Sequence, residues 1–366
     1  MNKPFNSTRL KLARIRRKLT FKALAEAVGM SSKMVSLYEK DDCLHEPPKD
    51  TVDLLAKALN YPPAFFYGSD IEALEPSTVS FRSLKSMKAA QQHAAIGAGQ
   101  IAFILNDFFE SKFNLPATNL PDLRGLEPEV AAESLRERWG LGNLSIKNMI
   151  HLLESKGIRV FSLAENTQDV DAFSFWKDGI PFIFLNNQKS SERSRFDAAH
   201  ELGHLVLHKH GGPTGREVEI EADKFSSSFL IPRSSLLEAS PSFVTLDDII
   251  KLKRNWLVSV GATIVRMKHL NLLTEWQYRT LMVEMSKAGY RKTEPNSIER
   301  ERSLIIEKVL PALLIQGITL PKLADQLELP LDEVASLLFK VSIATSNNKV
   351  SVNRKNPPKL SLVKSN

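Results

Sequence analysis

Residues Phe196 to His210 read FDAAHELGHLVLHKH and carry His200, Glu201 and His204 in the spacing HExxH. On a helix, residues four apart stack on one face, so His200 and His204 can present two imidazoles to a single ion. Neutral imidazole is a good zinc ligand, and Glu201 adjoins that face as the general base for a water held there. Leu202, Leu205, Val206 and Leu207 make the rest of the stretch apolar, which predicts a core helix. A core helix accommodates two histidines and a glutamate only where they have partners.

A third ligand must come from elsewhere. His210 falls where the longer three-histidine zinc motif would place one, but Leu207 stands where that motif needs a turning glycine. His208 lies a further turn along the same face, too far for a straight helix to bring all three to one ion, and reads as a supporting residue. The following segment, EVEIEADKFSSSFLIP, alternates in helical fashion through Glu217, Glu219, Ile220, Glu221, Ala222, Phe225, Phe229 and Leu230 until Pro232 stops it. Glu221 is the expected third ligand, with Glu219 as runner-up.

AAHELGHLVLH followed by ExEADxFSSxFLIP resembles the ImmA/IrrE family of zinc metallopeptidases. The resemblance implies Zn²⁺ held by His200, His204 and Glu221, Glu201 as base, and Asp223 beside the site as a supporting partner. It further implies a zincin-like domain in which a small sheet precedes the zinc helix.

Near the start of the chain, Thr8 to Leu19 reads as a basic amphipathic helix. TFKALAEAVGMSSKMVSLYEK then gives Thr20 as N-cap, a helix from Phe21 to Val28, a turn at Gly29, Ser31 as a second N-cap and a second helix from Ser32 to Glu39. That is the layout of a helix-turn-helix. It resembles the XRE, or phage-repressor, family over Thr8 to Gly68, closing helix Thr51 to Leu59 included. The resemblance implies double-stranded DNA as a partner, with the second helix in the major groove. Ser32, Lys33 and Ser36 would meet base edges and Leu37 a thymine methyl, while Arg17, Lys18, Thr20 and Ser31 would bind phosphate. The acidic loop KDDCLHEPP, with Asp41, Asp42 and Glu46, replaces the glycine usual after the second helix and would weaken that affinity.

Ile71 to Ser80 reads as a linker, and VSFRSLKSMKAA as the opening of a helical stretch that reaches Lys112. The phrase FRSLKS recurs in proteins that join these two kinds of domain. Val130 to Trp139 is expected to be helical, SIKNMIHLLESKGIRVFSL a helix, a turn at Gly157 and a strand, and AFSFWKDGIPFIFLNN a hairpin turning at Lys177 to Gly179. Phe182 to Leu185 is the expected edge strand, where an extended substrate could pair through its main chain. Past Pro232 the chain is helical and matches the family's C-terminal portion, with Trp256, Ser259 and Arg266 at its landmarks. Tyr278 and His208 are the two residues offered as oxyanion helpers. Ile318 to Phe339 repeats the rhythm of the first helix-turn-helix through Leu323, Ala324, Leu327, Val334 and Leu338, but without basic residues on its second helix. It is read as a packing module.

The expected architecture is therefore mainly α with a small β-sheet, an α+β chain. Its divisions are an all-α helix-turn-helix head over 1–70, a connector over 71–128, a metallopeptidase domain over 129–295, a helical module over 296–344 and a disordered tail over 345–366. The chain has 366 residues, 43% of them hydrophobic, so substantial cores can form, and its net charge of +7 suits a polyanionic partner. The single cysteine, Cys43, excludes a disulfide framework and a thiolate-rich metal site and fits a reducing cytoplasm. No apolar signal or spanning segment is evident, so no membrane partner is expected. The function expected from all this is a DNA-binding, zinc-dependent endopeptidase that cleaves a helix-turn-helix repressor in a mobile-element or stress response; a homodimer is one assembly open to it. Two other readings share the motifs: a transcriptional regulator whose metal site is not catalytic, and the peptidase toxin of a toxin-antitoxin or phage-defence pair.

Overall fold

The computed structural model describes residues 4–40, 46–74, 80–81, 89–163, 172–186, 188–208 and 215–338. Cys43, Asp41, Asp42, most of FRSLKS, His210 and the expected tail lie outside the described residues.

The head comprises α1 (Ser7–Arg16), α2 (Phe21–Val28), α3 (Ser32–Tyr38), α4 (Lys49–Leu59) and a 3₁₀ turn at Pro63–Tyr67. Its caps are those the residue types call for. The Thr20 hydroxyl accepts from the Ala23 N–H at 3.1 Å, and the Ser31 hydroxyl from Met34 N–H at 3.3 Å. Gly29 turns the chain between the two helices at φ 69°, a conformation that glycine alone adopts cheaply. Leu10, Leu24, Ala25, Val35 and Leu55 close the core beneath.

The strands are β1 (Ser80–Phe81), β2 (Arg159–Ser162), β3 (Ala172–Lys177) and β4 (Ile180–Leu185), in the order β1-β3-β4-β2. β3 and β4 form an antiparallel hairpin whose turn residues Asp178 and Gly179 have φ 49° and 77°. Two successive positive φ values give the twist a tight hairpin needs. β2 lies parallel to β4, Arg159 opposite Phe182 and Ser162 opposite Leu185. Phe182 to Leu185 is thus an internal strand and not the expected edge. The unbroken apolar run IPFIFL is what a strand buried on both faces requires. Ser80 and Phe81, expected to open a helix, instead pair antiparallel with Ser174 and Phe173.

Between and after the strands come α5 (Ala89–Lys112), α6 (Pro128–Arg138), α7 (Met149–Ser155), α8 (Ser191–Leu207), α9 (Arg216–Leu230), α10 (Arg233–Ala239), α11 (Leu246–Trp256), α12 (Val260–His269), α13 (Glu275–Lys287), α14 (Leu304–Ile315), α15 (Leu320–Gln326) and α16 (Leu331–Leu337). Strand alternation makes the sheet a partition between two cores. Phe161, Phe173, Phe175, Phe182 and Phe184 face α5, whose Phe103 ring lies 5.6 Å from that of Phe175 and 5.3 Å from that of Phe182. Val160, Ala172, Ile183 and Leu185 face the opposite way, into the core built on α8 and α9. The stretch expected to be a connector therefore supplies α5 as a wall of the sheet. α1 also packs on α5, and Gly97 permits the approach: a Cβ there would stand 2.8 Å from Arg16 Cδ.

The helices α14 to α16 share the head's core, with Leu323, Ala324, Val334 and Leu337 buried together with Leu10, Leu12 and Phe65. The contact is also ionic. Arg16 and Glu333, both buried, meet at 2.6 Å, and the Tyr61 hydroxyl donates to the other Glu333 oxygen at 3.3 Å. Arg17, expected to reach DNA phosphate, is turned inward by the same contact. It donates to Leu59 O at 2.7 Å and to Asp332 at 2.8 Å, and its guanidinium lies 5.1 Å from the Tyr61 ring centre. Lys18, Thr20, Ser31, Ser32 and Lys33 are exposed, and Ser36 and Leu37 are half-buried. Among the described residues no single helix is long and apolar enough to cross a membrane.

Candidate metal centre

α8 starts at Ser190, whose hydroxyl accepts from the Arg193 N–H at 3.2 Å, and Ala198, Leu202 and Val206 bury it fully. α9 packs directly against it. At Gly203 a Cβ would lie only 3.0 Å from the Phe225 ring, so glycine lets the two helices come close enough for side chains of α9 to reach the histidines. Glu219 and Asp223, four residues apart, share the face of α9 turned to α8.

His200 and His204 point at one another through their Nε2 atoms, 3.0 Å apart. The Glu219 carboxylate completes the group, Oε2 at 3.3 Å from His200 Nε2 and Oε1 at 3.5 Å from His204 Nε2. A four-coordinate ion with bonds of roughly 2.0–2.1 Å spaces its ligand atoms by about 3.3 Å, so this is the spacing of a preformed site. The protons agree with the distances. His200 Nδ1 lies 2.9 Å from Asp223 Oδ1, and a carboxylate can only accept, so the ring proton is on Nδ1 and the Nε2 lone pair faces the centre. Two imidazole nitrogens and one carboxylate are the donor set that suits Zn²⁺ and similar divalent ions. Burial holds the His204 imidazolium down to about 4, with Glu219 opposing in part, so the ring is neutral near pH 7. Burial would raise the Glu219 carboxyl, but the two imidazoles facing it outweigh that and lower it to about 2, so it is ionised.

Glu221, the expected third ligand, is not in this group. Two residues from both Glu219 and Asp223, it is rotated by about 200° around the axis of α9 from each. Its carboxylate meets His208 Nε2 at 2.9 Å, and His208 Nδ1 in turn lies 3.0 Å from His204 Nδ1. Asp223 and His208, read as supporting residues, are thus found on the outer nitrogens of His200 and His204.

Glu201 is buried, and its Oε2 accepts a 2.6 Å hydrogen bond from the Ser174 hydroxyl on β3. Ser174 was not anticipated. The signal was the alternation of AFSFWK, which sets Ala172, Ser174 and Trp176 on one face and leaves a hydroxyl in the middle of a buried strand. Trp176 secures the same face by donating from Nε1 to Leu205 O at 3.2 Å.

The other landmarks are structural. Trp256 is buried, Ser259 caps α12 by accepting from Ala262 N–H at 3.0 Å, and Arg266 joins Ile231 O to Glu129 at 3.1 and 2.6 Å. Tyr278 packs against the same core. A cavity of about 730 Å³ adjoins Asp223, with Phe196, Ile220, Val265 and Met282 among its walls.

Two models of known families match parts of the chain. A helix-turn-helix model covers residues 10–66, and the model of the IrrE N-terminal-like domain, a peptidase family, covers residues 153–268. No curated protein matches the chain. One chain thus carries matches to an XRE-type helix-turn-helix model and to an IrrE N-terminal-like model, in the order of the fusion expected from the sequence.

Proposed function

We propose that this protein is a zinc-dependent endopeptidase tethered to DNA, and that it cleaves a helix-turn-helix repressor in one exposed segment. The observation that carries the reading is the convergence of His200, His204 and Glu219 beside a buried Glu201 held by Ser174. His200, His204 and Glu219 would hold the ion, which when bound supplies Lewis acidity toward a peptide carbonyl and the attacking water. Glu201 takes the proton of that water as it attacks and returns it to the amine of the leaving strand. Ser174 fixes one oxygen of Glu201, so the other is directed to a single place. Asp223 keeps the His200 proton on Nδ1, and Glu219 supplies negative charge at the ion. The walls of α8, α9 and β3 exclude bulk water from His200, Glu201, His204 and Ser174, while Glu219 and Asp223 stand on the open side.

The head supplies location. A protease held at an operator meets a repressor bound there at high effective concentration without new contacts at the active site. Lys33 and the serines of α3 form the surface offered to base edges, with Lys18, Thr20 and Ser31 beside them for phosphate. A regulator with a merely structural metal would have no use for a carboxylate buried and held by Ser174 as Glu201 is.

Elemental analysis and cleavage of a helix-turn-helix repressor encoded beside this protein test the reading together. Wild type and Glu201→Gln should each retain one equivalent of zinc and His204→Ala none, and only wild type should cut. Wild type without stoichiometric metal after purification with added zinc would sink the enzyme reading.

A further inference from the structure

Glu221 and His208 have no place among the ligands, yet they lie in line with one. The contacts run from the Glu221 carboxylate to His208 Nε2 at 2.9 Å, then from His208 Nδ1 to His204 Nδ1 at 3.0 Å, and end at His204 Nε2 in the centre. Each atom in the line constrains the next. A carboxylate only accepts, so His208 Nε2 carries a proton. With His204 Nε2 turned to the centre as a ligand atom, the ring proton is on Nδ1, and the short contact to His208 Nδ1 makes His204 the donor there. His204 is left with its lone pair on Nε2, directed at His200 and Glu219. Asp223 achieves the same result for His200 in one step.

We propose that Glu221 and His208 are positioning residues that act through His204: a two-residue relay that sets the tautomer and ring orientation of a metal ligand from outside the metal's own shell. The relay rests on the metal-site reading above, both for what His204 binds and for the lone pair on its Nε2. Geometry explains why two residues are needed. Glu219 and Asp223 occupy the face of α9 nearest α8, and the next acidic residue, Glu221, points away from it. His208, one turn beyond His204 on α8, spans the gap. Glu221 is half-exposed and His208 nearly buried, so the line runs from solvent to the centre and its outer end can be altered without disturbing the core.

The test uses the full chain, Zn²⁺ alone as the probe, and three variants: Glu221→Ala, Glu221→Gln and His208→Phe. Zinc affinity is measured by competition with a chelating indicator. Partners of this kind alter affinity about 10- to 100-fold, and that loss is expected for Glu221→Ala and for His208→Phe. Glu221→Gln, whose amide oxygen still accepts from His208 Nε2–H, should recover most of it. Because the two act in series, combining Glu221→Ala with His208→Phe should cost no more than the worse single change. Nitrogen-15 spectra of histidine-labelled, zinc-bound protein give a second readout: the His208 proton should sit on Nε2 in wild type and be shared between the nitrogens in Glu221→Ala. Unchanged zinc affinity in Glu221→Ala, losses that multiply in the double variant, or a His208 tautomer indifferent to Glu221 would each overturn the relay. Should wild type bind no zinc, the metal-site reading falls and the relay with it, whereas wild type that binds zinc beside an unchanged Glu221→Ala overturns the relay alone. Should His208→Phe not fold, the comparison of Glu221→Ala with Glu221→Gln carries the test.

Discussion

Replacing Glu219 by glutamine separates the two carboxylates that the sequence offers as third ligand. Glu219 lies 3.3 and 3.5 Å from the two imidazole nitrogens, and its carboxyl is held at about 2, so it enters the site as a full negative charge. Zinc binding by small structural sites contributes about 10–16 kcal/mol, shared among four ligands, which assigns roughly 3 kcal/mol to each. Losing the charge and most of one ligand should thus weaken zinc binding by about two orders of magnitude. The matching change, Glu221→Gln, removes a charge that meets only His208 at a half-exposed position and keeps an acceptor there. A loss of less than about threefold is expected, in line with the small worth of exposed ion pairs. Titration of both variants with Zn²⁺ against a chelating indicator, with circular dichroism to show retained helix, makes the comparison. A Glu221→Gln protein that loses zinc while Glu219→Gln keeps it would refute the assignment, and with it the argument from helix faces.

Other expectations concern the rest of the chain. Burial pushes the Glu154 carboxyl up to about 7 from an ordinary 4.5, against hydrogen bonds from Ser303, Leu304 and Ile305 at the start of α14. A raised acid stabilises the fold fully below its unfolded value and loses that contribution as pH rises through the folded one, here from about pH 4.5 to about 7 and by about 3 kcal/mol. Denaturant titrations should show the stability of Glu154→Gln relative to wild type growing across that window; a difference independent of pH would contradict the account. Glu333→Gln leaves Arg16 charged and buried, and should lower unfolding stability by about 3–5 kcal/mol, whereas Arg16→Met with Glu333→Leu should recover much of it. In DNA-binding titrations, Lys18→Ala should weaken binding and reduce the log–log salt slope by about 0.9, the loss of one phosphate contact. Arg17→Ala, whose guanidinium is engaged inside the protein, should leave that slope unchanged and reduce thermal stability instead.

What could be read in advance was whatever depends on neighbours in sequence. The caps at Thr20 and Ser31, the turn at Gly29, the hairpin at Asp178 and Gly179 and the pairing of His200 with His204 are all set within a few residues, and their side chains are visible in the string. Properties that depend on how elements pack were not. The choice between Glu219 and Glu221 turns on which face of α9 meets α8, and both are plausible from periodicity alone. Arg17 looked like a phosphate ligand because its partners, Asp332 and Asn60, are respectively 315 and 43 residues away. Phe182 to Leu185 was assigned to an edge because its parallel neighbour β2 is separated from it by another strand in sequence. Ser174 escaped notice because the atom that gives it meaning, Glu201 Oε2, belongs to a different element.

The way α16 closes on α1 has a practical side. A fragment cut at residue 70, where composition suggests a boundary, would carry off α1 without Glu333 or the apolar residues of α14 to α16. Such an excised head would expose Leu12 and Tyr61 to water and leave Arg16 without its carboxylate. Footprints and affinities gathered on it would describe a head stripped of part of its packing rather than the head of the intact chain. A faithful excision has to bring the last helices along with the first.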